Sequence, residues 1–356
     1  MYRYDVITCL ITALLLTGLP PVDAPAQSVV PPEGELQTTT ADDLQPRAEG
    51  HRYNEFWTYH IFLEDDTQMY LSFTRANFGS FKSAVSGLRL SIINFDGEYF
   101  ELAREYPQEY FTFSPDDNYR LQLRPDREIW FEGKLPDEQR IRVLTSKDGV
   151  EYDLDLQISN IVPGVRWGDG EFRYDGETIG MIMHIPYADI EGTIRLNDNE
   201  KAVRGSVYMD QTYQSTITPK VLTSGFRYIR HTPDEWEIGY LLIPRTQRET
   251  ENIIGYSIGL RDEEVTMWQP QLLTIGEMSR FSNSGRVPSQ LDAEFNPFYS
   301  VSVKRTQDLE RVSFLGELSR FSRRIVRSYL GGEVVEYRGK AEINGQPGYF
   351  NYFMVE

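Results

Sequence analysis

The sequence predicts an all-β protein built from two tandem antiparallel β-barrels. Strand-like segments recur with turn signals roughly every 8–12 residues, the rhythm of a sandwich or barrel. Aromatic residues make up 13% of the chain, with 22 Tyr and 19 Phe, and such side chains favour pleated, half-buried surfaces. No convincing long helix precedes residue 300, and the strand pattern of residues 50–195 recurs as an architecture over the remaining chain, without a close sequence repeat.

The 356 residues suffice for two ordinary domains, and 40% apolar with 25% charged residues describe a globular chain. A formal charge of −18 disfavours nucleic acid and adhesion to anionic membrane, because both need a basic surface. Only four His are present, and none has a His-x-x-x-His spacing, so no metal and no organic cofactor is implied.

At the N-terminus, Arg3 precedes the apolar run VITCLITALLLTGL and Pro20–Pro21. That run is too short for an ordinary membrane span and reads as a secretory signal, with cleavage near Ala26. The sequence therefore predicts a secreted or periplasmic protein with no stable membrane insertion after signal removal. Cys9 is the one cysteine, so the mature chain has no disulfide or thiol chemistry. Residues 27–50, rich in Pro, Thr and acids, read as a disordered leader.

Order is expected from His51. FWTYHIFL, the turn EDDTQ and MYLSFTRA form a hairpin signature. SGLRLSIINFDGEYFELAREY repeats it around Asp96–Gly97, a favoured hairpin pair. YRLQLRP, EIWFEGKL, IRVLTSK and YDLDLQISN follow as short strands. The first barrel is assigned to residues 51–195 and the second to 196–356. A helix is expected over LGELSRFSRR, where Leu315, Leu318 and Phe321 share helical spacing.

The candidate chemistry centres on GSVYMDQTYQS, residues 205–215. Asp is depleted from strands because its side chain competes for backbone hydrogen bonds. On a strand, Tyr208 and Asp210 share one face, and Val207, Met209 and Gln211 the other. A carboxyl in an apolar barrel lining tends to stay protonated and can act as an acid; the bland reading is an exposed or capping Asp. His184, within MIMHIPYADIEGTIRL, is a second candidate acid, base or orienting group, against the reading of a core His bonded to a carbonyl. In NEFWTYHIF, Glu55, Trp57 and Tyr59 share one face and Phe56, Thr58 and His60 the other, and either set is a candidate pocket lining. The aromatics suit core packing or a pocket wall, and Glu55 suits a salt bridge to Arg227 or Arg230. Trp57, Tyr59, Tyr213 and Trp236 are the candidate ligand-binding aromatics. FRYIRH, residues 226–231, reads as strand and turn of structural role. No Gly-x-Ser-x-Gly, P-loop or dinucleotide fingerprint is present.

These stretches resemble the carotenoid 1,2-hydratase (hydroxyneurosporene synthase) and AttH-like superfamily, which also takes in yeast survival-factor lipocalin-like proteins and fungal lipocalin-like Diels–Alderases. NEFWTY, residues 54–59, is similar to the family's Glu-Trp-Trp-Tyr strand, with Phe56 in the first Trp position. HIPYADIEGTIRL, residues 184–196, is similar to the strand closing the first barrel, and residues 205–215 to a Gly-x-x-Tyr-x-Asp-His segment. The resemblance spans residues 50–356 and implies two lipocalin-like (calycin) barrels holding an apolar small molecule. It also implies acid machinery at Tyr208, Asp210 and His184 that would protonate a carbon–carbon double bond. Gln211 stands where the family has His, and Pro186 and Tyr187 stand where a hydratase would offer a Trp. Two functions follow as expectations. One is an exported lipocalin-like protein binding an isoprenoid or lipid-like ligand in a barrel cavity. The alternative is a hydratase/cyclase-type enzyme. Oligomeric state is left open.

Overall fold

The computed structural model describes residues 28–232, 235–245, 252–261, 264–282, 285–316 and 319–356. Cys9 and the stretch expected to act as a secretory signal lie outside the described residues. The fold is nearly all β, in two large antiparallel sheets.

Among the described residues the first sheet has 14 strands, and its main path begins Glu98–Pro107, Val85–Phe95, Gln68–Phe78, Arg52–Leu63, Asn199–Gln214, Glu177–Leu196, Val150–Ser159 and Gln139–Lys147. Hairpin chemistry explains the neighbours. Asp96–Gly97, Asp148–Gly149 and, in the second sheet, Asn344–Gly345 have positive φ at both residues, the conformation of tight turns whose twist matches that of paired strands. The sheet curls until its distant strands touch. Tyr152 donates to the Glu101 carbonyl at 2.8 Å and Tyr59 to Gln139 Oε1 at 2.9 Å. Inside lie Trp57, Tyr59, Phe73, Leu90, Phe131, Ile141, Leu156 and Met209, all buried.

Among the described residues the second sheet has nine strands in the order Glu264–Trp268, Ile254–Arg261, Trp236–Pro244, Leu222–His231, Gln346–Val355, Val334–Ile343, Tyr299–Ser313, Gln290–Asn296 and Leu272–Ile275. It curls around its own core of Phe226, Tyr228, Val301, Val303, Tyr337 and Phe350. A third cluster joins the sheets across their outer faces: Met183, Tyr187 and Tyr208 from the first pack with Trp236, Ile238, Tyr240 and Tyr256 from the second. We call this interface the seam.

Three expectations need correction. The Asn199–Gln214 strand pairs with Arg52–Leu63, so the first sheet runs on to Gln214 and the change of sheet falls at the short Thr218–Val221 helix, not at residue 195. A strand must stay where its long ladder is satisfied, and this one has partners on both sides within the first sheet. Residues 28–50 are not a disordered leader: Leu36–Thr38 pairs with Val165–Trp167, a turn of 3₁₀ helix spans Ala41–Leu44, and Leu44 is wholly buried. One anchoring apolar side chain and a set of backbone hydrogen bonds outweigh a polar composition. The late helix spans Arg320–Leu330, capped by Ser319 and ended by left-handed Gly331. Leu315 precedes it, Leu318 lies outside the described residues, and Phe321 is 76% exposed. No helix among the described residues is long and apolar enough to cross a membrane.

Candidate functional site

Alternation along Asn199–Gln214 decides where its side chains go. Val207 and Met209 enter the first core, and Tyr208 joins the seam. Asp210 follows Tyr208, two residues on. The Tyr208 hydroxyl donates to Asp210 Oδ2 at 2.6 Å. Arg227, from Leu222–His231 of the second sheet, donates through Nε to Oδ2 at 2.9 Å and through Nη2 to Oδ1 at 3.1 Å. Thr212 adds a contact to Oδ1 at 3.3 Å. The Arg227 guanidinium lies 3.5 Å above the Tyr240 ring. Tyr208, Asp210 and Arg227 are 0, 1 and 5% exposed.

Burial first, and the Asp210 charge second, push the Tyr208 phenol well above its ordinary range. Burial opposes the Arg227 charge, but Asp210, Tyr240 and Tyr208 together hold its affinity for the proton well above the usual guanidinium value. Tyr240 is pushed up to about 12, chiefly by burial, with Arg227 pulling the other way. The sequence expects Asp210 as a neutral donor in an apolar barrel lining. The geometry differs: both oxygens accept, in the bidentate fork of a carboxylate with a guanidinium, and the face is the seam rather than the barrel interior.

His184 lies elsewhere. The Glu177–Leu196 strand breaks register between Met183 and Ile185 and again before Ala188. Pro186, which has no N–H for a ladder, sits in that irregular stretch, and its carbonyl accepts from His231 at 3.0 Å. His184 Nε2 meets Gln211 Oε1 at 2.9 Å, on the strand face opposite Asp210. Gln211 donates to Glu55 Oε1 at 2.8 Å and to the Gln45 carbonyl at 3.1 Å, and Glu55 pairs with Arg75 at 2.8 Å, not with Arg227 or Arg230. Residues 41–48 seal this second network: Arg47 N–H donates to Glu55, and the Leu44 carbonyl accepts from Trp57 Nε1. Burial lowers His184 to about 4 and raises Glu55, the latter opposed by Arg75 and the hydrogen bonds it receives.

The structure thus brings Tyr208 and Asp210 together and places His184 in a separate network. Of the candidate aromatics, Trp236 belongs to the seam. Trp57 and Tyr59 fill the first core. Tyr213 packs with Ala48, Tyr53 and Ile182 over Gly180, where a Cβ would come within 2.0 Å of its ring. Sequence reasoning missed Arg227 as the partner of Asp210. The available signal was alternation in FRYIRH, which sets Arg227 opposite the face of Phe226 and Tyr228. It also missed Tyr70, Asn351 and Arg338, which flank the cluster together with His60, a member of the candidate pocket face of its strand.

A recess of about 770 Å³ lies on the outside of the first sheet, lined by Glu64, Asp65, Arg140, Asp155, Glu191 and Arg204 among others. Its charges pair with one another at exposed positions, as in Arg140–Asp155 and Arg204–Glu191. Solvated pairs of this kind are weak and do not mark chemistry, so the buried seam cluster is the candidate site.

Two curled antiparallel sheets packed in tandem define a lipocalin-like fold, and known structures share it. An AttH-type protein from Nitrosomonas europaea superposes with a TM-score of 0.59 at 11% identity, covering 88% of this chain and 95% of that one. Kievitone hydratase from Nectria haematococca gives 0.52 at 13%, covering 91% and 97%. CghA in complex with Sch210972 gives 0.56 at 11%, covering 93% and 99%. No protein-family model and no curated protein matches the sequence.

Proposed function

We propose that this chain is an enzyme of the hydratase or cyclase type, acting on an apolar substrate at the seam. The observation that carries the reading is the Tyr208–Asp210–Arg227 cluster, a buried ionic and phenolic group set against Trp236, Ile238, Tyr240 and Tyr256. Buried titratable groups with a specific charge partner are the kind of arrangement that functional sites use. The shared fold of a kievitone hydratase and of CghA supports the enzyme reading over simple binding.

Tyr208 is a proton conduit in this reading. It does not ionise, because burial and Asp210 both resist the phenolate. Asp210 begins as the base: a proton leaving the substrate or its attacking water arrives at Oη as the Tyr208 proton passes to the carboxylate, and the same proton returns through Oη to a carbon of the substrate, which restores the carboxylate. Arg227 holds Asp210 in place and balances its charge. Because the cluster is closed to solvent, the substrate enters as the two faces part. The test is conversion of geranylgeraniol, followed by mass spectrometry for gain of water or an isomeric product. Asp210→Asn, which keeps shape, and Tyr208→Phe are each expected to lower turnover by about 10²–10⁴-fold. Turnover unchanged in both variants would sink the mechanism.

A second reading, an apolar-ligand carrier without chemistry, is favoured by the complete pairing of Asp210. It predicts that native mass spectrometry releases an intact apolar molecule, unaltered by Asp210→Asn. Export through residues 1–26 belongs to the proposal too. Intact mass of protein from the cell envelope should correspond to a chain starting near Gln27.

A further inference from the structure

Beside Asp210 the seam brings together two rows of side chains, one from each sheet. On the first sheet Tyr208, His60 and Tyr70 lie directly opposite one another on adjacent strands. On the second, Arg227, Asn351 and Arg338 do the same. In-register partners share a sheet face, so each trio presents its side chains together. The trios are tied at both ends. At one end Tyr208 and Arg227 meet on Asp210. At the other the Arg338 guanidinium lies 3.5 Å over the Tyr70 ring and is held by Glu310 and Glu336. The middle members, His60 and Asn351, therefore lie between these two ties, one on each sheet.

Both middle members are buried, at 6 and 2% exposure. His60 Nε2 and both amide atoms of Asn351 have no hydrogen-bond partner in the structure. Arg338 Nε, at the second tie, is likewise unpartnered. Unmet buried polar atoms are costly and uncommon, and these sit together. Burial, reinforced by Arg227 and Arg338, keeps His60 neutral, so its ring supplies a neutral donor or acceptor. The Asn351 amide asks for one donor and one acceptor at the same spot. A carboxylate offers no donor and an alkyl group offers neither. A hydroxyl offers both.

We propose that His60 and Asn351 form an oxygen subsite that binds the hydroxyl group of an otherwise apolar ligand entering the seam. The inference rests on the proposed seam site for its location, but not on any reaction there. The ligand class is an apolar alcohol, with its chain along the Trp236–Tyr240–Tyr256 wall and its oxygen beside the Tyr208–Asp210 pair. A site built around unmet hydrogen-bonding groups discriminates strongly against an analogue lacking the group.

The test is fluorescence titration of the folded chain with geraniol and with its deoxygenated hydrocarbon, 2,6-dimethyl-2,6-octadiene. The native protein is expected to bind the alcohol at least about tenfold more tightly. Asn351→Leu and His60→Phe should remove most of that preference while leaving hydrocarbon affinity in place, and His60→Gln should retain it. Equal affinity of the native protein for both probes, including the case in which water alone occupies the subsite, overturns the proposal without any variant having to fold. So does failure to bind either probe, or a preference undiminished in Asn351→Leu. A retained alcohol preference with no Asp210-dependent turnover would sink the catalytic reading and leave the subsite standing. Turnover without the preference would do the opposite.

Discussion

Asp210 carries opposite requirements. Its carboxylate is desolvated, and a buried ion pair returns little net stability because desolvation offsets attraction. Breaking it is another matter. Asp210→Ala leaves the Arg227 guanidinium buried without its partner and is expected to cost about 3–5 kcal/mol. Adding Arg227→Met to that variant should recover part of the loss, a coupling that denaturant unfolding of the single and double variants would measure. His184 gives a pH prediction. Its value falls from 6.5 unfolded to about 4 folded, so the unfolded chain binds the proton more readily. Stability from this group is fully present above pH 6.5 and declines as pH drops towards 4, by about 3 kcal/mol in all. His184→Gln should flatten that limb in unfolding measured from pH 7 to 4. Glu55 acts in the opposite sense, since its value is raised: its contribution is lost as pH rises from 4.5 through the folded value. An acid limb unchanged in His184→Gln would show that the imidazole is not its cause.

At the scale of elements, the strand Asn199–Gln214 divides the molecule's chemistry. One face supplies Met209 and Gln211 to the first barrel and its mouth, the other Tyr208 and Asp210 to the seam. The irregular register around Pro186 is the counterpart on the neighbouring strand, turning a carbonyl out to His231 of the second sheet. The segment 41–48 acts as a strap across the barrel mouth. If it holds the mouth closed, Leu44→Ala is expected to destabilise by about 2–4 kcal/mol and to shift tryptophan emission to the red as Trp57 loses its cover. A loose leader would tolerate the change within about 0.5 kcal/mol. Strand existence was legible here from alternation, and the Asp96–Gly97 turn from its dipeptide. The strap was not, because it has no strand or helix periodicity, Leu44 is its one large apolar side chain, and its order comes from groups it meets elsewhere in the chain, Glu55, Trp57, Arg166 and Gln211.

At the scale of the whole molecule, the two sheets meet through polar ladders as well as apolar contacts. Besides Asp210–Arg227, the seam holds Arg338 with Glu310 and Glu336, and Tyr99 donates to Glu310 at 2.7 Å. Buried pairs are screened far less than exposed ones, so the association of the sheets should depend little on salt. The sequence by itself determined the all-β class, the turns, the tandem architecture and the pairing of Tyr208 with Asp210 on one strand face, because alternation and turn conformation are local properties of the backbone. Tertiary structure decided the rest: that this face meets the second sheet, that Arg227 is the partner of Asp210, that His184 belongs to another network, and that the first sheet ends at Gln214. Those outcomes depend on which surfaces pack together, and a strand carries no record of what will cover either of its faces.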